Sequence, residues 1–321
     1  LMKNKNGVMS VKAIIEKITE QIQEGIYPGA SLALYRNGQW SEHYLGLADP
    51  EKGEPVEADL VYDLASVSKV VGVATICAFL YAKGELALDR PFKEVYPRFA
   101  YEKTTIRELL THTSGLDPYI PNRDQLDAGQ LKEALENLQL KEDKSFHYTD
   151  VNFLLLGFWL EEAFGQSLDD LFEELIFAPW KMVETRFGPV KKAVPTVRGV
   201  ASGCVHDPKA RVLGCHAGSA GLFSTVSDLE IFLEHYLRDD FARDLSQNFA
   251  RVEGKTRSLG WNLEGDWLDH TGYTGTFIMY NRKKQEAVIF LSNRTYEKDE
   301  RAQWILDRNS LMNLIKQECE K

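Results

Sequence analysis

Ser66-Val-Ser-Lys69 opens the stretch whose reading decides the fold. From Val67 to Lys83 the chain reads as one helix that stops at Gly84, with Val70, Val71, Val73, Ile76, Phe79 and Leu80 spread all round it. A helix apolar on every side is a buried helix. The three-residue spacing puts Ser66 and Lys69 on one face of its first turn. A serine hydroxyl is a weak nucleophile that needs a neighbouring base, and a lysine serves where burial and neighbours lower its pKa. Backbone N–H groups at a helix start also favour developing negative charge. Taken alone the motif is unspecific, since a capping serine with a snorkelling lysine has the same spacing.

Working outward, Val11, Ile14, Ile15, Ile18 and Ile22 mark an amphipathic helix over 11–25. Gly29 to Tyr35 reads as a strand, Asn37-Gly38 as a tight hairpin turn, and Trp40 to Leu47 as the return strand. Pro50 to Asp59 is a polar loop. Helical patterns fill the middle at 105–112, 128–138, 150–165, 167–177 and 225–238, strand patterns return at 257–263, 275–281 and 286–292, and a last helix covers 299–318. Strands at both ends joined by hairpins predict a central antiparallel sheet in an α/β (α+β) fold, with the two terminal helices on one face. The expected division is a sheet region, 1–65 with 240–321, and a mostly helical region, 66–239, with the site at their junction. The chain shows neither an internal repeat nor a low-complexity tract.

The 321 residues are 44% hydrophobic and 27% charged, with a net charge of −10, the composition of a globular chain. A basic stripe of the kind that binds nucleic acid is missing, so no nucleic-acid partner is expected. No run of about 18 apolar residues is read, and hence no membrane span. The stretch LMKNKNGVMSVKAIIEKI carries lysines but lacks the apolar centre of an export signal. A cytoplasmic location is expected, or an extracytoplasmic one should an export signal have been removed. Cys77, Cys204, Cys215 and Cys319 form no CxxC pair and read as reduced thiols, with a Cys204–Cys215 disulfide as the competing reading. Seven histidines offer no strong ligand set. Cys204/His206 and Cys215/His216, in the Gly-rich segment 199–221, come nearest, and no metal is expected.

Two further segments carry chemistry. Tyr148-Thr-Asp150 precedes the apolar run Val151 to Gly157, and a tyrosine near a lysine can relay a serine proton. His270-Thr-Gly-Tyr-Thr-Gly-Thr276 reads as lying directly before a strand. Its glycines allow close approach of a substrate, and its backbone N–H groups can form half of an oxyanion hole. A G-x-S-x-G elbow would signal an α/β-hydrolase, but Ala217-Gly-Ser-Ala-Gly221 misses it by its glycine placement. His112 reads as structural, capping or bonding a backbone carbonyl. Trp159, Trp180, Trp261 and Trp267 read as core, and Tyr119 as a candidate cleft residue.

Together these segments resemble the S-x-x-K, Y-x-N and K-T-G set of serine β-lactamases, penicillin-binding proteins and related esterases. Order and spacing resemble the class C branch. Leu109-Leu-Thr-His-Thr-Ser-Gly-Leu116 and Ala220-Gly-Leu-Phe-Ser-Thr-Val-Ser-Asp-Leu229 look like further stretches of that family, over about residues 12–315. The resemblance implies a β-lactamase/transpeptidase-like fold and an acyl-enzyme on Ser66. Lys69 and Tyr148 would share the acid–base work, and the Ser66 and Tyr273 backbone N–H groups would form the oxyanion hole. Asp150, His270, Thr271, Gly272 and Tyr273 would contact the substrate, and no cofactor would be needed.

Two departures bear on the substrate. Asp150 stands where the family often has Asn, and a carboxylate cannot donate to an amide carbonyl. It can pair with Lys69, which favours the charged lysine and opposes its use as a base. His270 stands where Lys is usual, so a fixed positive charge is lost unless Asp150 pairs with the imidazole and raises its pKa. The expectation is a serine hydrolase of small acyl esters with weak or no β-lactamase activity, its partner a small acyl compound or a covalently bound β-lactam. The alternatives are a D-alanyl-D-alanine carboxypeptidase and a non-catalytic muropeptide-binding or structural member. The oligomeric state is left open.

Overall fold

The computed structural model describes residues 5–320, with side chains from residue 11 onward. The N-terminal reading of residues 1–4 lies outside the described residues. Among the described residues ten strands form: β1 (Gly29–Arg36), β2 (Gln39–Asp49), β3 (Glu54–Pro55), β4 (Tyr62–Asp63), β5 (Arg186–Phe187), β6 (Leu222–Ser224), β7 (Asn262–Glu264), β8 (Trp267–Gly272), β9 (Thr276–Asn281) and β10 (Glu286–Ser292). Seven of them make one antiparallel sheet in the order β3-β2-β1-β10-β9-β8-β7. The first and last parts of the chain therefore meet where β1 pairs with β10, Leu32 opposite Phe290 and Leu34 opposite Val288. The Asn37-Gly38 turn takes positive φ at both residues, 53° and 79°, as the hairpin requires.

Successive strand side chains point to opposite faces, and here both faces are covered. Ala30, Leu32, Leu34, Phe277, Met279, Val288 and Phe290 pack beneath the terminal helices Lys5–Gln23 and Arg301–Glu320, through Ile14, Ile18, Trp304, Leu311 and Ile315. Each such aliphatic side chain contributes roughly 1.5–3 kcal/mol by leaving water. Ala33, Tyr35, Ile278, Tyr280, Ile289 and Leu291 face the larger core shared with the helices of the middle segment.

Three expectations change. The helix read over Val67–Lys83 is a 3-10 turn at Ala65–Val67, a short helix Ser68–Val71 and a helix Val73–Ala82. The break falls at Gly72 (φ −104°, ψ −89°). There the ring of Phe172 lies so close that a Cβ on Gly72 would stand 2.3 Å from it. The 18-residue stretch Ala65–Ala82 is also long and apolar enough to cross a membrane by length and composition alone, contrary to the reading that none exists. Its residues Val70, Val71, Val73, Ala74, Ile76 and Cys77 are packed inside the larger core. Finally, the strand read over 257–263 is reduced to β7. Ser258 N–H bonds the Trp261 carbonyl at 3.0 Å and the Arg257 guanidinium bonds the Gly260 carbonyl at 3.1 Å, so the chain turns there. The strand that matters, β8, was not read as one, because its sequence Trp-Leu-Asp-His-Thr-Gly carries weak alternation.

Over 167–177 the helix Leu168–Phe172 passes into a π-type turn at Glu173–Phe177. The four cysteines are free thiols.

Gly72→Ala is expected to lower unfolding free energy by about 1–3 kcal/mol, the usual penalty for overpacking a filled core. Urea unfolding of the variant beside wild type measures it, and an unchanged midpoint would show that the Phe172 contact yields freely.

Candidate active site

The site begins with a turn held from below. The Asp63 carboxylate accepts from the Ala65 N–H at 2.8 Å through one oxygen and from the His206 N–H at 2.8 Å through the other. Burial pushes this carboxyl up to about 6, against the pull of its two N–H donors. Ala65 takes φ +46°, a conformation non-glycine residues adopt only when their surroundings impose it. The turn projects Ser66, half-buried, into a cleft.

Lys69 has no exposed surface. Its ammonium donates to Ser66 Oγ at 2.8 Å, to Asp150 Oδ1 at 2.6 Å and to the Ser219 carbonyl at 2.8 Å. Burial works to lower its pKa, but the Asp150 charge and Tyr148 outweigh burial, so the lysine stays above its ordinary range. Asp150 is the first residue of the helix Asp150–Phe164, which Thr149 caps through the Val151 N–H. Its second oxygen lies 3.2 Å from Lys209 Nζ. The two lysines outweigh burial and hold the carboxyl below its ordinary range.

Tyr148 reaches the same place. Lys69 Nζ sits 5.2 Å from its ring centroid, and its buried hydroxyl has no hydrogen-bond partner among the described residues. Beneath it lies His112, ring centroids 4.6 Å apart. His112 Nδ1 faces the Asn152 side-chain amide at 3.0 Å and the Thr149 N–H at 3.5 Å. The Asn152 carbonyl oxygen already accepts from Ser114, so its NH₂ donates and His112 Nδ1 accepts. His112 is structural as expected, but as an acceptor of N–H groups and not as a donor to a carbonyl.

His270, Thr271 and Gly272 lie within β8 and not ahead of it. A Cβ on Gly272 would come 2.6 Å from the Leu64 carbonyl, so only glycine lets this strand end lie against the turn bearing Ser66. Thr274 and Thr276 fasten the hairpin by donating to the Asp63 and Leu64 carbonyls at 3.0 and 3.1 Å. His270 does not pair with Asp150. Its Nδ1 donates to the Thr271 carbonyl at 3.0 Å, and burial, then Lys69 and Arg257, push its pKa well below the ordinary value. The imidazole is neutral because burial and the neighbouring cations outweigh the pull of Asp150. Positive charge comes instead from Arg308 on the C-terminal helix, which donates to Thr271 Oγ1 at 3.2 Å.

Ser66, Tyr148 and Tyr273 line both of two adjoining cavities. One, of about 730 Å³, runs past His270, Thr271 and Arg308, and the other, of about 840 Å³, past Tyr119, Asp150 and Lys209. Thus all eight site residues read from the sequence border one cleft or its floor. Asp63, Lys209, Arg308 and the Ser219 carbonyl were missed. Asp63 and Lys209 sit in no motif, and Ser219 lies in the segment set aside for lacking an elbow. The Gly-rich segment 199–221 contains the helix Pro208–Leu213 that carries Lys209. Among the described residues no group of three or more His, Cys, Asp or Glu side chains is placed to hold a metal.

Residues 14–311 match the model of the Beta-lactamase family. The chain belongs to that family. Among curated proteins, this beta-lactamase-family chain is 27% identical to a putative D-alanyl-D-alanine carboxypeptidase of Escherichia coli K12, covering 87% of this chain and 81% of the other. Among solved structures it is similar to a beta-lactamase/D-alanine carboxypeptidase from Pseudomonas syringae (TM-score 0.75, 19% identity, 96% and 99% covered). It is likewise similar to EstCE1, a hydrolase with promiscuous acyltransferase activity (TM-score 0.77, 18% identity, 96% and 99% covered). The beta-lactamase family is one of serine hydrolases, and these structures share its fold, an antiparallel sheet flanked by helices.

The Asp63 turn has a pH signature. Folded Asp63 holds its proton up to about 6, against 3.8 for the ordinary carboxyl. Stability from this group is therefore full below the unfolded value and is lost as pH rises through the folded one, by on the order of 3 kcal/mol. In Asp63→Asn that fall is expected to vanish from urea titrations across the same window. The amide also sets an N–H against the His206 N–H, so the reactivity of Ser66 is expected to drop.

Proposed function

We propose that this chain is an esterase-type serine hydrolase that takes the acyl group of small esters onto Ser66. Ser66 Oγ attacks the ester carbonyl, and the oxyanion settles between the Ser66 and Tyr273 backbone N–H groups. A charged Lys69 cannot accept the Ser66 proton, so the reactive form is the one in which Lys69 and Tyr148 together have lost one. That pair takes the hydroxyl proton and returns it to the departing alkoxide. Water, deprotonated by the same pair, then attacks the acyl-enzyme, and the acid leaves as Ser66 regains its proton.

The observation that carries this reading is the double engagement of Asp150. Its oxygens face Lys69 at 2.6 Å and Lys209 at 3.2 Å. At this position an amide would donate to an acyl-side amide carbonyl, and a carboxylate cannot. Peptides and β-lactams with an acylamino group lose that contact, while simple esters lose nothing. The neutral His270 acts in the same direction, since it offers no charge to a substrate carboxylate.

A second reading, a D-alanyl-D-alanine carboxypeptidase, is favoured by Arg308, whose guanidinium lies in the cleft beside Thr271, and by the name given to the Escherichia coli relative.

Steady-state kcat/KM for p-nitrophenyl acetate and butyrate is expected to exceed that for a chromogenic cephalosporin by at least ~100-fold. Intact-mass labelling with a fluorophosphonate is expected to modify wild type and not Ser66→Ala. A clear preference for the cephalosporin would sink the ester reading. Should a D-alanyl-D-alanine peptide be the better substrate, the second reading holds. Arg308→Ala is then expected to lower its turnover about tenfold more than that of acetate esters, one charge-assisted hydrogen bond being worth about that much.

A further inference from the structure

Asp150 raises a difficulty for the chemistry above. A half-buried carboxylate 2.6 Å from Lys69 holds the lysine's proton in place, yet the reactive form requires that proton to go. Were Lys69 its sole partner, the departing proton would leave an unpaired charge beside a residue with no exposed surface, an arrangement that proteins avoid.

The carboxylate has a second partner. Lys209 Nζ lies 3.2 Å from Asp150 Oδ2, on a side chain only 13% exposed. It belongs to the short helix Pro208–Leu213, whose start is fixed twice: Asp207 accepts from the Ala210 N–H at 2.8 Å, and the His206 N–H is held by Asp63 at 2.8 Å. The same carboxyl that sets the Ser66 turn thus sets the height of Lys209.

We propose that Lys209 is a positioning residue of this site: as the standing ion-pair partner of Asp150, it lets Lys69 release a proton without leaving the Asp150 carboxylate unpaired. Two ammonium groups and one carboxylate carry a net charge of +1. Loss of one proton from Lys69 leaves a neutral amine beside the completed Asp150–Lys209 pair. This inference rests on the reading of Ser66 and Lys69 as acyl acceptor and proton carrier.

Other groups facing the cluster do not supply this charge. His112 and His270 are held neutral by burial. Arg257, fully buried, is directed at Asn262 and the Gly260 carbonyl. Tyr148 stacks its ring beside Lys69, 5.2 Å from Nζ to the centroid. Asp207 and Arg211 flank Lys209 on its own helix, Asp207 being engaged in its cap. Arg301 lines both cavities but is not among the groups paired with Asp150.

The test compares the pH dependence of Ser66 labelling by a fluorophosphonate, read by intact mass, with that of p-nitrophenyl acetate turnover. In Lys209→Gln, which keeps a polar side chain without charge, the acid limb of both profiles is expected to move up by about one pH unit, with a roughly tenfold slower rate near neutrality. Lys209→Arg is expected to restore the rate to within about threefold. In Lys209→Gln/Asp150→Asn the carboxylate is gone, so the limb is expected to return to the wild-type position or below. A Lys209→Gln profile superimposed on wild type overturns the inference, and so does a double variant as impaired as the single one. If Lys209→Gln fails to fold, the arginine and double variants decide the matter by the same comparison. Wild type labelled on Ser66 with an unshifted variant ends this inference alone. Wild type without any Ser66-dependent adduct ends it together with the reading beneath it.

Discussion

A lysine with no exposed surface must have its three protons received by something, and Lys69 delivers them to Ser66, Asp150 and the Ser219 carbonyl. Each partner comes from a different segment of the chain. The ammonium therefore acts as a tie between the turn of Ser66, the start of the helix Asp150–Phe164 and the bend before β6. Satisfying one buried cation draws together most of what the chemistry needs.

The sheet supplies the opposite wall. β8 ends at Gly272 against the Leu64 carbonyl, and Thr274 and Thr276 close the hairpin onto the same segment. Asp63 then links that segment to His206 and, through it, to the helix bearing Lys209. The strained φ at Ala65 is maintained because backbone hydrogen bonds from several directions over-determine the turn. Rigidity of this kind keeps reacting groups in place before a substrate arrives.

Charge in the cleft is redistributed relative to a lysine-bearing K-T-G strand. His270 is neutral, and Arg308 reaches Thr271 from the C-terminal helix. Asp150 introduces a negative charge at the centre, and Lys209 offsets it. Two departures that looked damaging in isolation are each matched by a cation from a distant element. The beta-lactamase family framework is kept while the electrostatics around Ser66 change, and specificity within one fold is altered by such changes at the site.

The first hairpin of the antiparallel sheet, the terminal helices and the buried character of the segment after Ser66 were legible from hydrophobic periodicity, because burial on a helix or strand repeats with the local geometry. The Ser66–Lys69 contact was legible for the same reason, since residues three apart on a helical turn face one way. Three things were hidden. The need for glycine at the Gly72 break comes from Phe172, a ring about one hundred residues away. The partners of Asp150 are an ion pair across 81 residues with Lys69 and a second with Lys209, and no spacing rule connects them. The protonation of His270 depends on burial and on Lys69 and Arg257 beside it. By itself the sequence determined the first hairpin, the terminal helices and the motifs by which the chain resembles its family. Tertiary structure alone decided which residues of those motifs are charged, since a pKa answers to neighbours in space and not to neighbours along the chain.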